Sequence, residues 1–278
     1  MSYKIVVDSC CELPEEFAND PRFERVPLGL EVGDYHILDD ENFNQAEFLR
    51  KIAESPVCAK SSCPSPERFM EAYHVDAEHI YVVTLSSHLS GSYNSAMVAK
   101  DMYHEKYGEK KIHVVDSESV SGGVTQIALK LMELEAQGLS FETIVEEIEH
   151  YRDTRCVYFV LDNLETLRKN GRLTGVKALV ATTLNIKPVM SADHGVITQV
   201  GQSIGVKKAL AKLSDMVVKD IGSGEGRKLI ITHCNAPERA QLTRDMITKQ
   251  TPFDEVIIMD TKGLSTLYAN EGGVIVTA

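Results

Sequence analysis

Residues 80–96 read IYVVTLSSHLSGSYNSA, and this stretch decides the fold class. A short β-branched run, residues 80–83, leads into a serine-rich loop, and a helix is predicted to start near Ser92. The same order of apolar run and polar loop recurs at residues 5–7 and 112–115. Short continuous apolar runs are typical of strands that are buried on both faces of a parallel sheet.

Helical patterns separate these predicted strands. Ile127, Leu131 and Leu134 fall on one face of a predicted helix, and Ser140 is the expected N-cap of the next one. Alternating strands and helices indicate an α/β fold with right-handed crossovers. We therefore predict that residues 1–153 form a Rossmann-like α/β domain with a mostly parallel sheet.

The second half of the chain has a different pattern, and we predict a C-terminal α+β domain over residues 154–278. Further short apolar runs predict strands at residues 157–161, 186–190, 196–200, 229–231 and 256–258. Asp193, His194 and Gly195 lie between two of these runs, and such a turn composition predicts a β-hairpin. The boundary between the two domains is expected near residues 152–155.

The composition excludes several classes of protein. The 278 residues include 29 Lys and Arg against 41 Asp and Glu, which gives a formal net charge of -12. So acidic a chain lacks the basic face that binds nucleic acid or docks on an anionic membrane. No run approaches the roughly 18 apolar residues of a membrane span. The chain starts with a strand pattern instead of a secretory signal, so we expect a cytoplasmic protein whose six cysteines are reduced.

The motifs that identify common enzymes do not assign a catalytic function to this sequence. The sequence has no G-x-x-x-x-G-K-[ST] phosphate loop, no H-E-x-x-H and no C-x-x-C, and we expect neither a nucleophile elbow nor a metal site. His88 lies too near its neighbouring serines in sequence to orient toward their hydroxyls, and no third triad partner is identifiable. His233, after the run at 229–231, is interpreted as a surface residue at a strand end.

Two polar segments are candidate sites. The first, residues 86–93, follows a predicted strand directly, and ligands bind at the carboxyl ends of strands in open α/β sheets. A serine-rich turn that opens a helix offers hydroxyls and backbone N–H groups to a phosphate or a carboxylate. The second, residues 59–66, ends in Ser65 and Pro66, a suitable N-cap and first residue of a helix. For both segments the simpler alternative is a loop that only caps its helix.

Several segments, in order along nearly the whole chain, resemble the motifs of the DegV family of bacterial fatty-acid-binding proteins. Residues 61–66 and 86–93 are similar to its T-S-Q-P-S and S-S-x-L-S-G-T-Y motifs. Residues 167–173, LRKNGRL, resemble its L-R-K-G-G-R-I motif. The other matches are Asp8-Ser9 with Leu13-Pro14, Ser95-Ala96, the V-D-S of residues 115–117 and the L-N-I-K-P of residues 184–188.

The resemblance implies a two-domain α/β protein that binds one long-chain fatty acid between its domains and has no other cofactor. Residues 1–153 would carry the head-group loops, and residues 154–278 would cover the acyl chain. The bound acid would be presented to a separate fatty acid kinase, so the chain itself would be a carrier and not an enzyme. The resemblance also implies residues that hold the carboxylate: Ser61 or Ser62, and Ser90 beside the free N–H groups of Gly91 and Ser92.

Two departures from the family pattern affect the head group. The family often carries a C-terminal H-x-G-P-G motif whose histidine helps to hold the carboxylate, but residues 264–273 read LSTLYANEGG, without histidine or proline. Asn270 is the candidate replacement, since an ionised Glu271 would repel a carboxylate. The second departure is Cys63, where the family has glutamine.

The expected energies assign different roles to tail and head. At about 0.8 kcal/mol per buried CH₂, about sixteen methylenes supply roughly 13 kcal/mol of gross stabilisation. Hydrogen bonds to a charged head group contribute about 1.5–3 kcal/mol each. The tail is therefore expected to set the affinity, and the serines to fix the position of the acid.

Two other functions remain open at this stage. An enzyme that acts on a small phosphorylated or carboxylated substrate through the same serine loop would need a wide polar cavity. A pure interaction protein is the third hypothesis, because a basic cluster surrounds Gly171: Arg168, Lys169, Arg172 and Lys177. Arg168, Lys169 and Arg172 are the possible docking residues for the kinase, and the alternative is a solvated helix end.

Overall fold

The computed structural model describes residues 2–173 and 185–278, and every structural statement below concerns those residues. The strands are β1 (Tyr3–Asp8), β2 (Phe23–Val26), β3 (Gly29–Val32), β4 (Tyr35–Leu38), β5 (Lys60–Ser62), β6 (His79–Thr84), β7 (Lys111–Asp116), β8 (Val157–Val160), β9 (Ile186–Asp193), β10 (Val196–Ile204), β11 (Lys228–His233), β12 (Glu255–Asp260) and β13 (Val274–Thr277). The helices are α1 (Gln45–Glu54), α2 (Pro66–Tyr73), α3 (Ser92–Tyr107), α4 (Gly122–Ala136), α5 (Phe141–Asp153), α6 (Glu165–Lys169), α7 (Val206–Ile221), α8 (Pro237–Thr248) and α9 (Gly263–Ala269), and a short 3-10 helix spans Glu15–Phe17.

The first half contains a parallel sheet. Its strands follow the order β2-β1-β6-β7, and each neighbouring pair is parallel. All residues of β1 are buried, and so is β6 apart from His79. This burial on both faces explains the continuous apolar runs, and the predicted α/β domain with a parallel sheet is confirmed.

The second half contains a mixed sheet with the order β10-β9-β8-β13-β11-β12. Only β11 and β12 pair in parallel, whereas the other neighbours are antiparallel. The predicted hairpin is β9 and β10, and its turn residues His194 and Gly195 have φ values of 43° and 78°. Positive φ at both central residues is the backbone of a tight hairpin turn, so the composition predicted this turn correctly.

A small antiparallel sheet, β4-β3-β5, was not predicted. Its strands have only three or four residues each and are mostly half-buried or exposed. It belongs to the first half in sequence, and β5 carries Ser61 as its middle residue. The sheet therefore brings one of the two polar segments to a fixed place in the fold.

Helix α4 lies between the two large sheets. It packs against β1 and β6 on one side and against β11 and β13 on the other. Every residue from Gly122 to Leu129 is buried, as expected for a helix that protein surrounds on all sides. A Cβ atom on Gly122 would lie 2.8 Å from Ile230 Cγ2 and 3.0 Å from Thr277 Oγ1, so the contact with the second sheet requires glycine.

The hydrophobic cores of the two halves are interleaved. Leu264 and Leu267 of α9 pack in the core of the first half, and Leu89 packs against a core cluster of the second half. The domain boundary at residues 153 and 154 stays a prediction. In the part of the chain that the structure describes, no helix is both long and apolar enough to cross a membrane.

Asp8 and Glu12, both in the first half, are among its wholly buried carboxyl groups. Asp8, at the end of β1, accepts hydrogen bonds from the Ser92 hydroxyl (2.7 Å) and the Leu85 backbone N–H (2.9 Å). Glu12 accepts one from the Ser121 hydroxyl at 2.6 Å. Burial raises the pKa of each carboxyl group to about 7, although these hydrogen bonds act in the opposite direction.

We predict that Gly122→Ala lowers the free energy of unfolding by about 1–3 kcal/mol, because the new methyl group overlaps Ile230 of the second large sheet. Urea unfolding measures the change. Ala136→Leu, at the exposed end of the same helix, is the matched control and should stay within about 0.5 kcal/mol of the wild type. Equal effects of the two substitutions would contradict the close packing of α4.

We also predict that the free energy of unfolding falls as the pH rises from about 4 to about 7. The folded chain keeps a proton on Glu12 through this range, whereas in the unfolded chain the group titrates near its ordinary value of 4.5. The contribution of Glu12 to this fall is about 2 kcal/mol between pH 5 and pH 7.5.

Urea unfolding at these two pH values checks the prediction in the wild type and in Glu12→Gln. Because glutamine does not titrate, the variant should show a smaller fall, and the exposed control Glu225→Gln should keep the fall of the wild type. Identical pH dependence in the wild type and Glu12→Gln would show that Glu12 is not protonated in the folded chain.

Candidate functional site

A pocket lies in the seam between the two halves, and most of its wall is apolar. The first half contributes Leu28, Leu85 and Leu89, among others. The second half contributes further large apolar side chains, among them Phe159, Leu161 and Ile275. A cavity with such a wall suits a hydrocarbon chain and offers little to a small polar molecule.

The polar groups of the wall are few. Among the residues that the structure describes, they are Ser61, Ser90, Ser265, Arg172 and Tyr268, together with the Cys10 thiol. Ser90 and Arg172 also border an open polar depression on the surface, which they share with His88 and Asn170. They therefore mark the place where the apolar pocket meets solvent.

The middle residue of β5, Ser61, faces the pocket. Its hydroxyl lies 3.0 Å from the hydroxyl of Tyr268 on α9. Ser62 follows on the opposite face of the strand, as the period of two requires, and borders a separate surface depression beside Gly29 and Leu38. Of the two serines that the family motif offered, Ser61 alone lines the seam pocket.

The segment around Ser61 continues into α2 as predicted. This helix begins at Pro66 directly after Ser65, although the Ser65 side chain makes no capping hydrogen bond to the backbone. Cys63 is exposed and lies beside the serine loop, because a Cβ atom on Gly91 would be 3.1 Å from its Sγ atom. The replacement of the family's glutamine by Cys63 therefore lies outside the pocket wall.

The buried side chain of Asp8 holds the serine loop in place. Its carboxylate binds the loop at both ends, through the Leu85 N–H and the Ser92 hydroxyl. Within the loop, the Ser90 N–H donates to the Ser86 carbonyl at 3.1 Å, and the Ser86 hydroxyl donates to the carbonyl of Gly195 in the second half at 3.0 Å. The loop is thus held by hydrogen bonds from both halves.

The Ser90 hydroxyl is oriented to donate. Its oxygen accepts a hydrogen bond from the Ser92 N–H at 3.2 Å, which leaves its proton available for a ligand. The Ser92 N–H is therefore not free, in contrast to our expectation, and the Ser92 hydroxyl is wholly buried on Asp8. Gly91 is exposed just before α3 and lies outside the pocket wall.

The structure separates Asn270 from the pocket and brings Tyr268 into it. The Asn270 amide donates to the Thr166 hydroxyl and the Tyr268 carbonyl, each at 3.3 Å, and it does not line the pocket. Asn270 has a φ of 54° and Gly272 a φ of 87°, the conformation that favours glycine. The spacing of Tyr268, Asn270 and Gly272 equals that of the histidine and the two glycines in H-x-G-P-G.

The described residues of the basic cluster lie in different surroundings. Arg168 is exposed and pairs with Glu165 on the same helix at 2.7 Å, and Lys169 is also exposed. Arg172 instead lines the pocket, where its Nε atom donates to the Leu89 carbonyl at 3.1 Å and Nη1 donates to the Asn170 carbonyl. Lys177 of the basic cluster and Leu184 of the L-N-I-K-P segment lie outside the described residues.

The remaining enzyme candidates find no support in their geometry. His88 is exposed on the serine loop, whereas His233 is buried, which corrects its interpretation as a surface residue. The string GQSIG at residues 201–205 does match G-x-S-x-G, but Ser203 pairs with Lys187 along the antiparallel edge strand β10 instead of opening a helix. Among the residues that the structure describes, no cluster of His, Cys, Asp or Glu is suited to hold a metal ion.

Known proteins resemble this chain over its full length. A DegV domain-containing protein of Streptococcus gordonii is 36% identical over 99% of this chain and 98% of its own length. The crystal structure of a DegV family protein from Ruminococcus gnavus, described with vaccenic acid, is 52% identical, has a TM-score of 0.97 and covers 100% of this chain and 99% of that chain.

A third similar structure carries a more specific name. It is the Streptococcus pneumoniae Fatty Acid Kinase (Fak) B3 protein loaded with linoleic acid, 34% identical, with a TM-score of 0.91, and it covers 100% of this chain and 99% of that chain. The family described as "Uncharacterised protein, DegV family" matches residues 2–278. These matches confirm the resemblance inferred from the motifs, and the chain belongs to the DegV family.

Proposed function

We propose that this chain binds one long-chain fatty acid in the seam pocket and presents its carboxylate to a separate fatty acid kinase. The proposal rests on the composition of one cavity wall. Among the described residues, this wall is apolar except for a few hydroxyl groups, the Cys10 thiol and one guanidinium group. The vaccenic acid and linoleic acid of the two similar crystal structures support it.

The carboxylate is bound by Ser61, Ser90 and Tyr268, with the positive charge of Arg172 beside them. Each hydroxyl carries one proton, and a carboxylate accepts several hydrogen bonds at once. The Ser61–Tyr268 pair shares one of its two protons at 3.0 Å, so it keeps the other for a ligand. In this chain a phenol hydroxyl group takes the place of the family's histidine.

The acyl chain occupies the apolar part of the pocket, between side chains of both halves. Its burial supplies most of the binding free energy, since each methylene contributes about 0.8 kcal/mol. Because Leu28, Leu85 and Leu89 belong to the first half and Phe159, Leu161 and Ile275 to the second, the bound tail contacts both. Neither half alone encloses it.

The apolar wall argues against an enzyme for a small phosphorylated or carboxylated substrate, which needs a wide polar cavity. We propose a carrier in which the serines bind and do not react. Chemistry at the carboxylate then belongs to the kinase, which reaches the acid through the mouth that Ser90 and Arg172 border.

For the kinase we propose the rim beside α6 as the docking surface. Lys169 and Arg168 are exposed there, next to the mouth formed by Asn170, Gly171 and Arg172. Cations on this rim would attract an acidic partner surface or the phosphate that is being transferred. Arg172 borders both the mouth and the seam pocket, and we assign it to the bound acid instead of to the docking surface.

Tyr268→Phe is predicted to weaken oleate binding by about 10- to 100-fold, the loss expected when one hydrogen bond to a charged group is removed. Isothermal titration calorimetry on delipidated protein measures the dissociation constant. Tyr107→Phe removes an exposed hydroxyl and serves as the matched control, with unchanged affinity. Failure of the wild type to bind oleate would reject the proposed function, and unchanged binding in Tyr268→Phe would reject the assignment of Tyr268.

Lys169→Glu is predicted to lower phosphorylation of the bound fatty acid by the kinase about tenfold, while oleate affinity stays within about twofold of the wild type. Steady-state turnover with the carrier as the varied substrate, together with calorimetry, separates the two effects. Lys249→Glu, exposed at the end of α8, makes the same charge change elsewhere and should leave turnover unchanged. Equal turnover of the two variants would contradict the proposal that the kinase docks on this rim.

A further inference from the structure

The start of α9 is bound by a buried carboxylate of the other half. The two oxygens of Asp39, which lies between β4 and α1, accept hydrogen bonds from the Gly263 and Leu264 backbone N–H groups, each at 2.8 Å. Backbone N–H groups at a helix start lack partners within the helix, and a carboxylate there is favoured by the helix dipole. The contact satisfies both partners inside the protein.

The geometry of this contact is closely constrained. Asp39 is 1% exposed, and burial raises its pKa although the two N–H groups act in the opposite direction. A Cβ atom on Gly263 would lie 2.5 Å from Asp39 Oδ1, so only glycine permits this approach. A small displacement of either side would break the pair of hydrogen bonds.

Two more residues of the first half hold the segment that leads into α9. The Gln45 side chain donates to the Asp260 carboxylate at 2.8 Å and to the Thr261 carbonyl at 3.0 Å. Glu12 accepts a hydrogen bond from the Lys262 N–H at 3.3 Å. Helix α9 is therefore attached to the first half, in which Ser61 and Ser90 also lie, although it belongs to the second half in sequence.

Helix α9 is also the helix that carries Tyr268. Tyr268 follows Gly263 by five residues, so at about 1.5 Å per residue the two lie roughly 7–8 Å apart along the axis. Over so short a distance a helix moves as a rigid rod. The place of its first turn therefore determines the place of the Tyr268 hydroxyl relative to Ser61.

We propose that Asp39 is a positioning residue for the carboxylate-binding site: by fixing the start of α9, it holds the Tyr268 hydroxyl at Ser61. The inference rests on the proposed function, since it concerns how the bound acid is recognised. It predicts that Asp39 affects binding of the head group and not of the tail, although Asp39 lines no part of the seam pocket.

Two ligands that differ only in the head group test this role. Dissociation constants for oleic acid and oleyl alcohol are measured for the wild type, Asp39→Asn, Tyr268→Phe and the double variant. Their ratio gives the preference for the acid. The control is Asp254→Asn, which removes a carboxylate that accepts a backbone N–H at 2.8 Å far from α9.

We expect Asp39→Asn to lose the acid preference by about tenfold, within about threefold of the loss in Tyr268→Phe, with oleyl alcohol binding nearly unchanged. The double variant should lose no more than Tyr268→Phe alone, because both changes remove the same interaction. The control should keep the preference of the wild type. Gln45→Ala changes a half-buried side chain and should lose part of the acid preference. If Asp39→Asn does not fold, this variant tests whether attachment of α9 to the first half controls that preference.

Several outcomes would overturn the inference. An equal loss for both ligands in Asp39→Asn would mean that Asp39 only stabilises the fold, and additive losses in the double variant would mean that it does not act through Tyr268. An unchanged acid preference in Gln45→Ala, should Asp39→Asn not fold, counts against it in the same way. If the wild type binds neither ligand, the proposed function itself fails. If the wild type binds oleic acid and only the variants depart from expectation, this inference alone fails.

Discussion

Enclosure of a long apolar chain between two halves of one polypeptide is the constraint on which the rest of the structure depends. The tail gains its binding free energy only where water is excluded on all sides, so both halves must supply apolar wall and must stay in contact around it. Helix α4, packed on both large sheets, and helix α9, bound at its start by Asp39, maintain that contact. The polar groups are then restricted to the positions that a carboxylate reaches.

The elements buried on both faces were predictable from sequence, because burial leaves an uninterrupted apolar run. Strands β1 and β6 follow this rule, and β7 follows it in part. The β9–β10 hairpin was predictable for another reason, the composition of its turn, Asp193-His194-Gly195. Strand β2 reads FERV and β5 reads KSS, and such short, half-exposed segments form strands only because a partner strand lies beside them. Since pairing is a tertiary property, no local pattern predicts them.

The candidate site was predictable in part. The family motifs led to Ser61 or Ser62 and to Ser90, and the structure places Ser61 and Ser90 in the pocket wall. They did not lead to Tyr268. Residues 264–273 contain no histidine, and Asn270 was chosen as its replacement because its amide can donate a hydrogen bond. The positive φ values of Asn270 and Gly272, a conformation that favours glycine, support the proposal that these positions match the two glycines of H-x-G-P-G and that Tyr268 matches the histidine.

Native mass spectrometry of the protein purified from a bacterial host tests the central claim most directly. The account predicts a species heavier than the bare chain by the mass of one long-chain fatty acid, which solvent extraction releases and identifies. A bare chain that also takes up neither palmitate nor oleate on incubation would contradict the claim that the seam pocket carries a fatty acid.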